Sequence, residues 1–130
     1  MIVDTSAIIT VIAREPLSGA VRDRLRQDAP LRMSAATVAE LLIVADNRFG
    51  RSLKGDAERF LVEAGVDVVP FGSEDARRAA DAYAAFGKGN HPARLNMGDC
   101  FAYALAKRAN EPLLCVGNDF VRTDLALVPL

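Results

Sequence analysis

The hydrophobic positions of this chain follow two patterns that alternate along its length. Short runs of β-branched residues and leucine predict buried strands, because a strand covered on both faces is apolar throughout. Such runs lie at 2–3 and 113–116, and further strands are predicted at 31–34, at 66–69 and near 127–128. The segments between them carry apolar residues three and four positions apart, which is typical of helices with one buried face. This alternation predicts an α/β fold, with one domain over residues 1–130 and a mainly parallel central β-sheet flanked by α-helices.

Local signals predict where several helices begin and end. Ser6 is expected to cap the helix after the first strand, and Pro16 to begin the next one. Thr37 is expected to open the helix after the second strand, with Glu40 completing a capping box. We expect that helix to end near 49–50.

The segment 87–94 is the most loop-like part of the chain. It contains glycines, a proline and basic residues, with no apolar periodicity to bury it, and we expect it to form a mobile flap over a substrate. It separates two predicted helices. The first begins at Ser73 and ends at Gly87, and the second is a strongly apolar helix from Asn96 to Ala109.

Length and composition limit the classes of function. A chain of 130 residues, 51% of them hydrophobic, suits one compact domain. The formal net charge of −1 does not favour nucleic-acid binding through an overall excess of Lys and Arg, so such contacts would be local. Cys100 and Cys115 lie in apolar stretches without CxxC spacing and are expected to be reduced core thiols. No basic leader or membrane-length apolar run is present, and we expect a cytoplasmic protein with no membrane association.

Four acidic residues occupy equivalent places in this scheme. Asp4 follows the first strand and Asp119 follows the strand at 113–116, whereas Glu40 and Asp99 are expected in the first turns of their helices. In a parallel sheet the carboxyl ends of the strands and the N-termini of the helices share one edge. We therefore expect the four carboxylates to converge there.

Each acid also has an ordinary structural interpretation. Glu40 fits a capping box, Asp99 a dipole-stabilising position after the cap Asn96, and Asp119 a turn. Asp4 is different, because it lies between apolar segments and should be partly buried, where an unpaired charge is costly.

Convergence of the four acids would require a cation. Repulsion would be roughly 4 kcal/mol per pair at ~4 Å with an effective dielectric constant of ~20. No Lys or Arg is adjacent in sequence to Asp4 or Glu40, and the only histidine, His91, lies in the loop. An all-oxygen ligand set indicates Mg²⁺ or Mn²⁺ rather than zinc. Phosphoester hydrolysis is the reaction that best suits such a site.

Four motifs resemble those of the PIN domain, and within it the VapC toxins of bacterial toxin–antitoxin pairs. They are Met-Ile-Val-Asp-Thr-Ser-Ala at 1–7, Ala-Glu-Leu at 39–41, Leu-Asn-Met-Gly-Asp-Cys-Phe-Ala-Tyr-Ala at 95–104, and Gly-Asn-Asp-Phe at 117–120 followed by Thr123-Asp124. The first and third are quite specific. Length, order and spacing fit over essentially the whole chain.

The resemblance implies an endoribonuclease that hydrolyses RNA with a metal-activated water. Mg²⁺, with Mn²⁺ as a substitute, would be held by Asp4, Glu40, Asp99 and Asp119. Asp4 and Asp99 would be the central ligands, and Glu40 would orient or deprotonate the attacking water. Because the fourth acid varies most within the family, Asp124 is the alternative to Asp119.

The resemblance also implies supporting residues and partners. Ser6 and Asn96, and more weakly Thr123 and Asp124, would fix the carboxylates by hydrogen bonds, although simple helix capping is the alternative. The expected partners are the RNA substrate, a second copy of the chain in a homodimer, and a small VapB-like antitoxin whose C-terminal segment covers the site.

Basic residues near the predicted site are candidates for RNA phosphate contacts, with solvated surface charge as the alternative for each. They are Lys88, His91, Arg94, Lys107, Arg108 and Arg122. The sequence identifies neither the RNA nor the position of the cut.

The sequence supports other functions less well. A PIN-fold nuclease outside toxin–antitoxin systems, acting on DNA or in RNA processing, is the alternative that the sequence excludes least well. A catalytically silent module that binds RNA or an antitoxin should lack at least one acid, and this chain has all four. Rossmann-like and haloacid-dehalogenase-like phosphotransferases are disfavoured, because no GxGxxG follows a strand and Asp4 has no second Asp two positions on.

Overall fold

The computed structural model describes residues 1–27, 30–47 and 52–130. Within these ranges it contains four strands and six helices. In chain order they are β1 (Ile2–Val3), α1 (Thr5–Ile12), α2 (Ser18–Leu25), β2 (Arg32–Ser34), α3 (Ala35–Asn47), α4 (Lys54–Glu63), β3 (Asp67–Val69), α5 (Ser73–Phe86), α6 (Met97–Ala109) and β4 (Leu113–Leu114).

The strands form one sheet in the order β3-β2-β1-β4, and all neighbours are parallel. Ile2 is paired with Arg32 on one side and with Leu113 on the other, so the chain begins in the interior of the sheet. The predicted parallel α/β fold is confirmed. The strand predicted near 127–128 is wrong: the backbone there makes only an isolated parallel bridge, between Leu113 and Leu127, because the pairing does not continue along the chain.

Helices cover both faces of the sheet. Neighbouring residues of a strand point to opposite faces, so Val3 and Leu114 join the core formed with α1 to α4. Ile2 and Leu113 join the core formed with α5 and α6. The connecting helices therefore change from one face of the sheet to the other between β1 and β4. At such a point the carboxyl ends of the two strands are the expected place for a ligand.

Three predicted helix starts are wrong, and in two of them a different side chain supplies the contact at the start of the helix. Asp4, rather than Ser6, caps α1, and its side chain accepts a hydrogen bond from the backbone N–H of Ser6. The second helix begins at Ser18, two residues after Pro16.

The third correction concerns α3. This helix begins at Ala35, because the Oγ of Ser34 accepts a hydrogen bond from the N–H of Ala36 at 3.3 Å. Thr37 is therefore inside the helix, and it forms no capping box with Glu40. The predicted end of this helix near 49–50 lies outside the described residues.

Other boundaries agree with the sequence signals. Helix α5 begins at Ser73 and is capped at its end by Gly87, and Asn96 caps α6. The segment 87–94 is organised by turn hydrogen bonds and closed by one from Lys88 N–H to the carbonyl of Leu95 at 2.9 Å. Its mobility stays a prediction.

Two further expectations concern the cysteines and the membrane. Cys100 and Cys115 are both free and buried, as predicted for core thiols. No helix in the described ranges combines the length and hydropathy needed to cross a membrane.

Candidate functional site

Asp4 is a buried carboxylate with only one of its oxygens bonded. Its Oδ2 accepts hydrogen bonds from the Ser6 N–H at 2.9 Å and from the Ser6 hydroxyl at 2.6 Å. The Oδ1 atom is buried and has no hydrogen-bond partner. Burial raises the pKa of Asp4 above its usual range, and the two bonds from Ser6 only partly oppose this effect. A buried, unpartnered carboxylate oxygen is costly without a cation.

Ser6 connects Asp4 to the neighbouring strand. Its Oγ accepts a hydrogen bond from the N–H of Val116 at 3.0 Å while it donates to Asp4. The position of Asp4 is therefore coupled to the segment that follows β4 and carries Asp119.

Asp99 lies in the first turn of α6, where the sequence predicted it. Its Oδ2 accepts from the N–H of Asn96 at 2.8 Å, and its own N–H donates to Oδ1 of Asn96 at 2.8 Å. This capping box leaves the side chain buried, and burial raises the pKa of Asp99 to about 7. The nearby carboxylates of Asp4, Asp119 and Glu40 act in the same direction.

Glu40 reaches the same place from α3. It is the sixth residue of that helix and so lies in the second turn, not in the first as predicted, because α3 begins at Ala35. Burial raises the pKa of Glu40, repulsion from Asp4 adds to this, and a hydrogen bond from Thr5 opposes it. The Glu40 carboxylate lies against the backbone of Gly98 in α6. Sequence reasoning assigned no role to Gly98 or Thr5, although a glycine inside a helix is itself a signal of close approach.

Asp119 is exposed, in the segment after β4, and its charge raises the pKa of both Asp4 and Asp99. The four acids thus lie in one neighbourhood at the carboxyl ends of the strands. Asp119 also lines a cleft with Lys88, Arg94, Arg122 and other residues of the segments 88–96 and 118–122. Burial is the largest cause of the raised pKa values of Asp4, Glu40 and Asp99, and repulsion between neighbouring carboxylates adds to it.

The donor chemistry of this cluster fits a hard divalent cation. Across 1–27, 30–47 and 52–130, no three His, Cys, Asp or Glu side chains are gathered closely enough to form a ready-made metal site. The unpartnered Oδ1 of Asp4 nevertheless provides a ligand atom whose burial calls for positive charge. The carboxylate oxygens of this cluster are ligands of the type that suits Mg²⁺ or Mn²⁺.

The hydrogen bonds of the Thr123 and Asp124 side chains are made with residues other than the four acids. The Thr123 hydroxyl donates to the carbonyl of Phe120 at 2.8 Å. Asp124 accepts from the Tyr103 hydroxyl at 2.6 Å and from Lys107 at 2.9 Å, and these bonds hold its pKa below the usual range. This placement favours Asp119 as the fourth acid.

The basic candidates divide into two groups. Lys88, Arg94 and Arg122 line the cleft beside Asp119. Lys107 and Arg108 lie in the last turn of α6, about 12 Å along the helix axis from Asp99. Each of these two is in an ion pair, with Asp124 and Asp75 respectively, so the structure does not bring them to the site.

His91 has a structural environment. Its Nδ1 accepts a hydrogen bond from the N–H of Ala93 at 3.0 Å, and its ring packs edge-on against Phe86. The side chain therefore supports the turn in which it lies.

Comparisons with known proteins agree with this fold. The family model for the PIN domain matches residues 1–125. Ribonuclease VapC30 of Mycobacterium tuberculosis is 39% identical over 130 residues, which cover 100% of this chain and 99% of that protein. Among solved structures, the M. tuberculosis toxin VapC20, described as cleaving the sarcin-ricin loop, is similar with a TM-score of 0.79 at 16% identity, covering 99% of this chain and 98% of that one. A toxin–antitoxin complex from Klebsiella pneumoniae has a chain that is similar with a TM-score of 0.70 at 16% identity, covering 99% and 97%. These two structures support the fold alone.

Proposed function

The chain belongs to the PIN-domain family, among its VapC-type ribonucleases, and from this we propose that it is a Mg²⁺-dependent endoribonuclease and the toxin of a toxin–antitoxin pair. The observation that carries the proposal is the buried Oδ1 of Asp4, which has no hydrogen-bond partner and lies among three further carboxylates. A structural capping residue has no need of this arrangement, because both its oxygens can be solvated or bonded.

Asp4 and Asp99 would be the central ligands of Mg²⁺, for which Mn²⁺ could substitute. Glu40 and Asp119 would bind directly or through water. When bound, the cation supplies positive charge against the phosphodiester and makes water a better nucleophile. Ser6 and Asn96 hold the Asp4 and Asp99 carboxylates by the hydrogen bonds described above.

Glu40 is the residue best suited to take the proton of the attacking water. Its burial is less complete than that of Asp4, and its raised pKa makes its carboxylate oxygens stronger proton acceptors. The proton would be held on Glu40 while the phosphodiester bond breaks. Its position against α6 keeps this carboxylate beside Asp99.

RNA would enter along the cleft lined by Lys88, Arg94 and Arg122. Cationic side chains there would bind backbone phosphates and set the register of the strand relative to the acids. The cleft borders Asp119 and Asn96, so a phosphate bound in it lies next to the carboxylate cluster.

Substitution of single acids tests this function. Asp4→Asn and Asp99→Asn should each abolish RNA cleavage, because each removes a central ligand. EDTA should stop cleavage by the unmodified chain, and added Mg²⁺ or Mn²⁺ should restore it. Asp81→Asn, at an exposed position of α5, is the matched control and should cleave normally. Cleavage that persists in EDTA, or in Asp4→Asn, would contradict the proposal.

The proposed partners have a separate test. A small antitoxin whose C-terminal segment covers the site, and a second copy of this chain, are expected. Coexpression with the short reading frame next to the gene, followed by light scattering of the purified material, should yield a complex containing two copies of this chain and no cleavage activity. If the protein encoded by that reading frame leaves RNA cleavage unchanged, the chain is a nuclease but not the toxin of this pair.

A further inference from the structure

Gly98 leaves space that the Glu40 side chain fills. A Cβ atom built on Gly98 would lie 1.2 Å from Oε2 of Glu40, 2.4 Å from its Cδ and 3.1 Å from its Oε1. Atoms in contact cannot approach so closely, so any side chain at position 98 excludes the Glu40 carboxylate from its present place. The two residues come from different helices, α3 and α6, which pack against each other.

The backbone itself does not require glycine here. Gly98 is the second residue of α6, and its φ lies outside the left-handed region in which Gly65, Gly89 and Gly117 are found. Glycine is the poorest helix former after proline, so alanine would suit this position better in isolation. The close approach of Glu40 is the feature of the structure that accounts for a glycine at this position.

Glu40 would have nowhere equivalent to go if the space were filled. Its carboxylate lies beside Asp99 in the first turn of α6, near Asp4 and within hydrogen-bonding reach of Thr5. A displaced carboxylate would move away from Thr5 and from the acids with which it is expected to act.

We propose that Gly98 is a positioning residue, whose missing side chain places the Glu40 carboxylate against the first turn of α6 for its part in RNA cleavage. This inference rests on the proposed function only in so far as the placement of Glu40 affects RNA cleavage. The placement itself is testable without any metal or substrate, by the stability of the metal-free chain.

The first test is cleavage by Gly98→Ala. A misplacement of about 1 Å can cost about 100-fold in rate, and we expect a loss of that order in kcat with little change in KM, because Lys88, Arg94 and Arg122 are untouched. The matched control is Gly55→Ala in α4, where a Cβ would meet nothing within 4 Å. Gly55→Ala should cleave at the normal rate. Normal cleavage by Gly98→Ala would overturn the proposal.

The second test measures unfolding of the metal-free chain in two backgrounds. In the unmodified chain, Gly98→Ala should lower the midpoint of urea unfolding, because the new methyl group displaces Glu40. In a Glu40→Ala background the methyl group would enter vacated space, and Gly98→Ala should raise the midpoint, as Gly55→Ala does in either background. If Gly98→Ala lowers the unfolding midpoint by the same amount in both backgrounds, the methyl group contacts something other than Glu40, and the inference is wrong.

The two tests separate the two proposals. If the chain does not cleave RNA at all, the proposed function fails, but the change of sign between backgrounds still decides whether Gly98 places Glu40. If cleavage is confirmed and the sign does not change, the positioning role fails alone.

Discussion

The two oxygens of the Asp4 carboxylate have different environments. Ser6 bonds to one oxygen through both its N–H and its hydroxyl, whereas the other oxygen is buried without a partner. Leaving a buried charged acceptor unsatisfied costs more than a typical hydrogen bond contributes. The metal-free site is therefore a source of instability, which binding of a cation would relieve.

The stability of the metal-free chain should depend on pH through Asp99. The folded state holds this proton up to a pKa of about 7, whereas an unfolded Asp releases it near 3.8. The folded state binds more protons between these values, so the free energy of unfolding should fall as pH rises from about 4 to about 7 and stay low above that. At about 1.36 kcal/mol per pKa unit, the shift corresponds to about 4 kcal/mol.

Urea unfolding in EDTA at several pH values measures this dependence. Asp99→Asn should be more stable than the unmodified chain at pH 8, and the difference should shrink towards pH 4. The asparagine oxygen can still accept the bond from the N–H of Asn96, so the helix cap survives. Parallel stability curves for the two proteins would show that Asp99 is not the group responsible.

Residue-level prediction succeeded where neighbours in sequence decide the environment. Asp4 lies between the apolar strand Ile2–Val3 and a mostly apolar helix, and its burial was predicted from them. Asp99 lies in the first turn of α6, three positions after the cap Asn96, as predicted, and the structure adds that the two residues form a capping box. The contact between Glu40 and Gly98 could not be predicted, because it depends on the distance between α3 and α6.

At the level of elements, competing local bonds decided the boundaries that were wrong. Asp4 and Ser34 each directly precede a helix and offer an oxygen to an N–H of its first turn. They therefore cap α1 and α3 earlier than Ser6 and Thr37 would have done. The start of α5 at Ser73 and its end at Gly87 were predicted correctly, and there Asp75 accepts a hydrogen bond from the N–H of Gly72, directly before the helix.

The segment carrying Asp119 is fastened to α6 by a hydrogen bond between Tyr103 and Asp124. Tyr103→Phe removes the hydroxyl and should lower the free energy of unfolding by about 1 kcal/mol, since the acceptor is charged but half exposed. Hydrogen exchange should accelerate at the amides of residues 119–126. Tyr83→Phe is the control, because its hydroxyl makes an exposed 3.3 Å bond to the carbonyl of Lys88 and should matter little. Equal effects of the two substitutions would mean that the Asp124 bond does not anchor this segment.

For the whole molecule, the arrangement of charges matters more than their sum. Sixteen basic and seventeen acidic residues give a formal net charge of −1, which on its own suggests no affinity for RNA. The fold separates the charges: acids gather at the carboxyl ends of the strands, and three cations line the adjoining cleft. The alternation of strand and helix patterns in the sequence predicted the parallel sheet, and with it the edge where the acids gather. The choice among basic residues needed the structure, since it places Lys88, Arg94 and Arg122 in the cleft and Lys107 and Arg108 in ion pairs at the far end of α6.

The salt dependence of RNA binding tests whether the cations of the cleft, rather than the overall charge, bind the RNA phosphates. Each phosphate contact with a single strand contributes about 0.7 to the slope of log affinity against log salt concentration. Combined Lys88→Ala, Arg94→Ala and Arg122→Ala should reduce that slope by about 2, measured by fluorescence anisotropy with a catalytically inactive Asp4→Asn chain. Lys54→Ala, Arg59→Ala and Arg77→Ala remove the same charge from exposed positions of α4 and α5 and should leave the slope unchanged. If the slope falls by the same amount in both triple variants, overall charge governs binding and the cleft has no special part. If it falls only in the cleft variant, a chain of near-neutral net charge binds RNA through the place where its cations lie beside the cluster of acids.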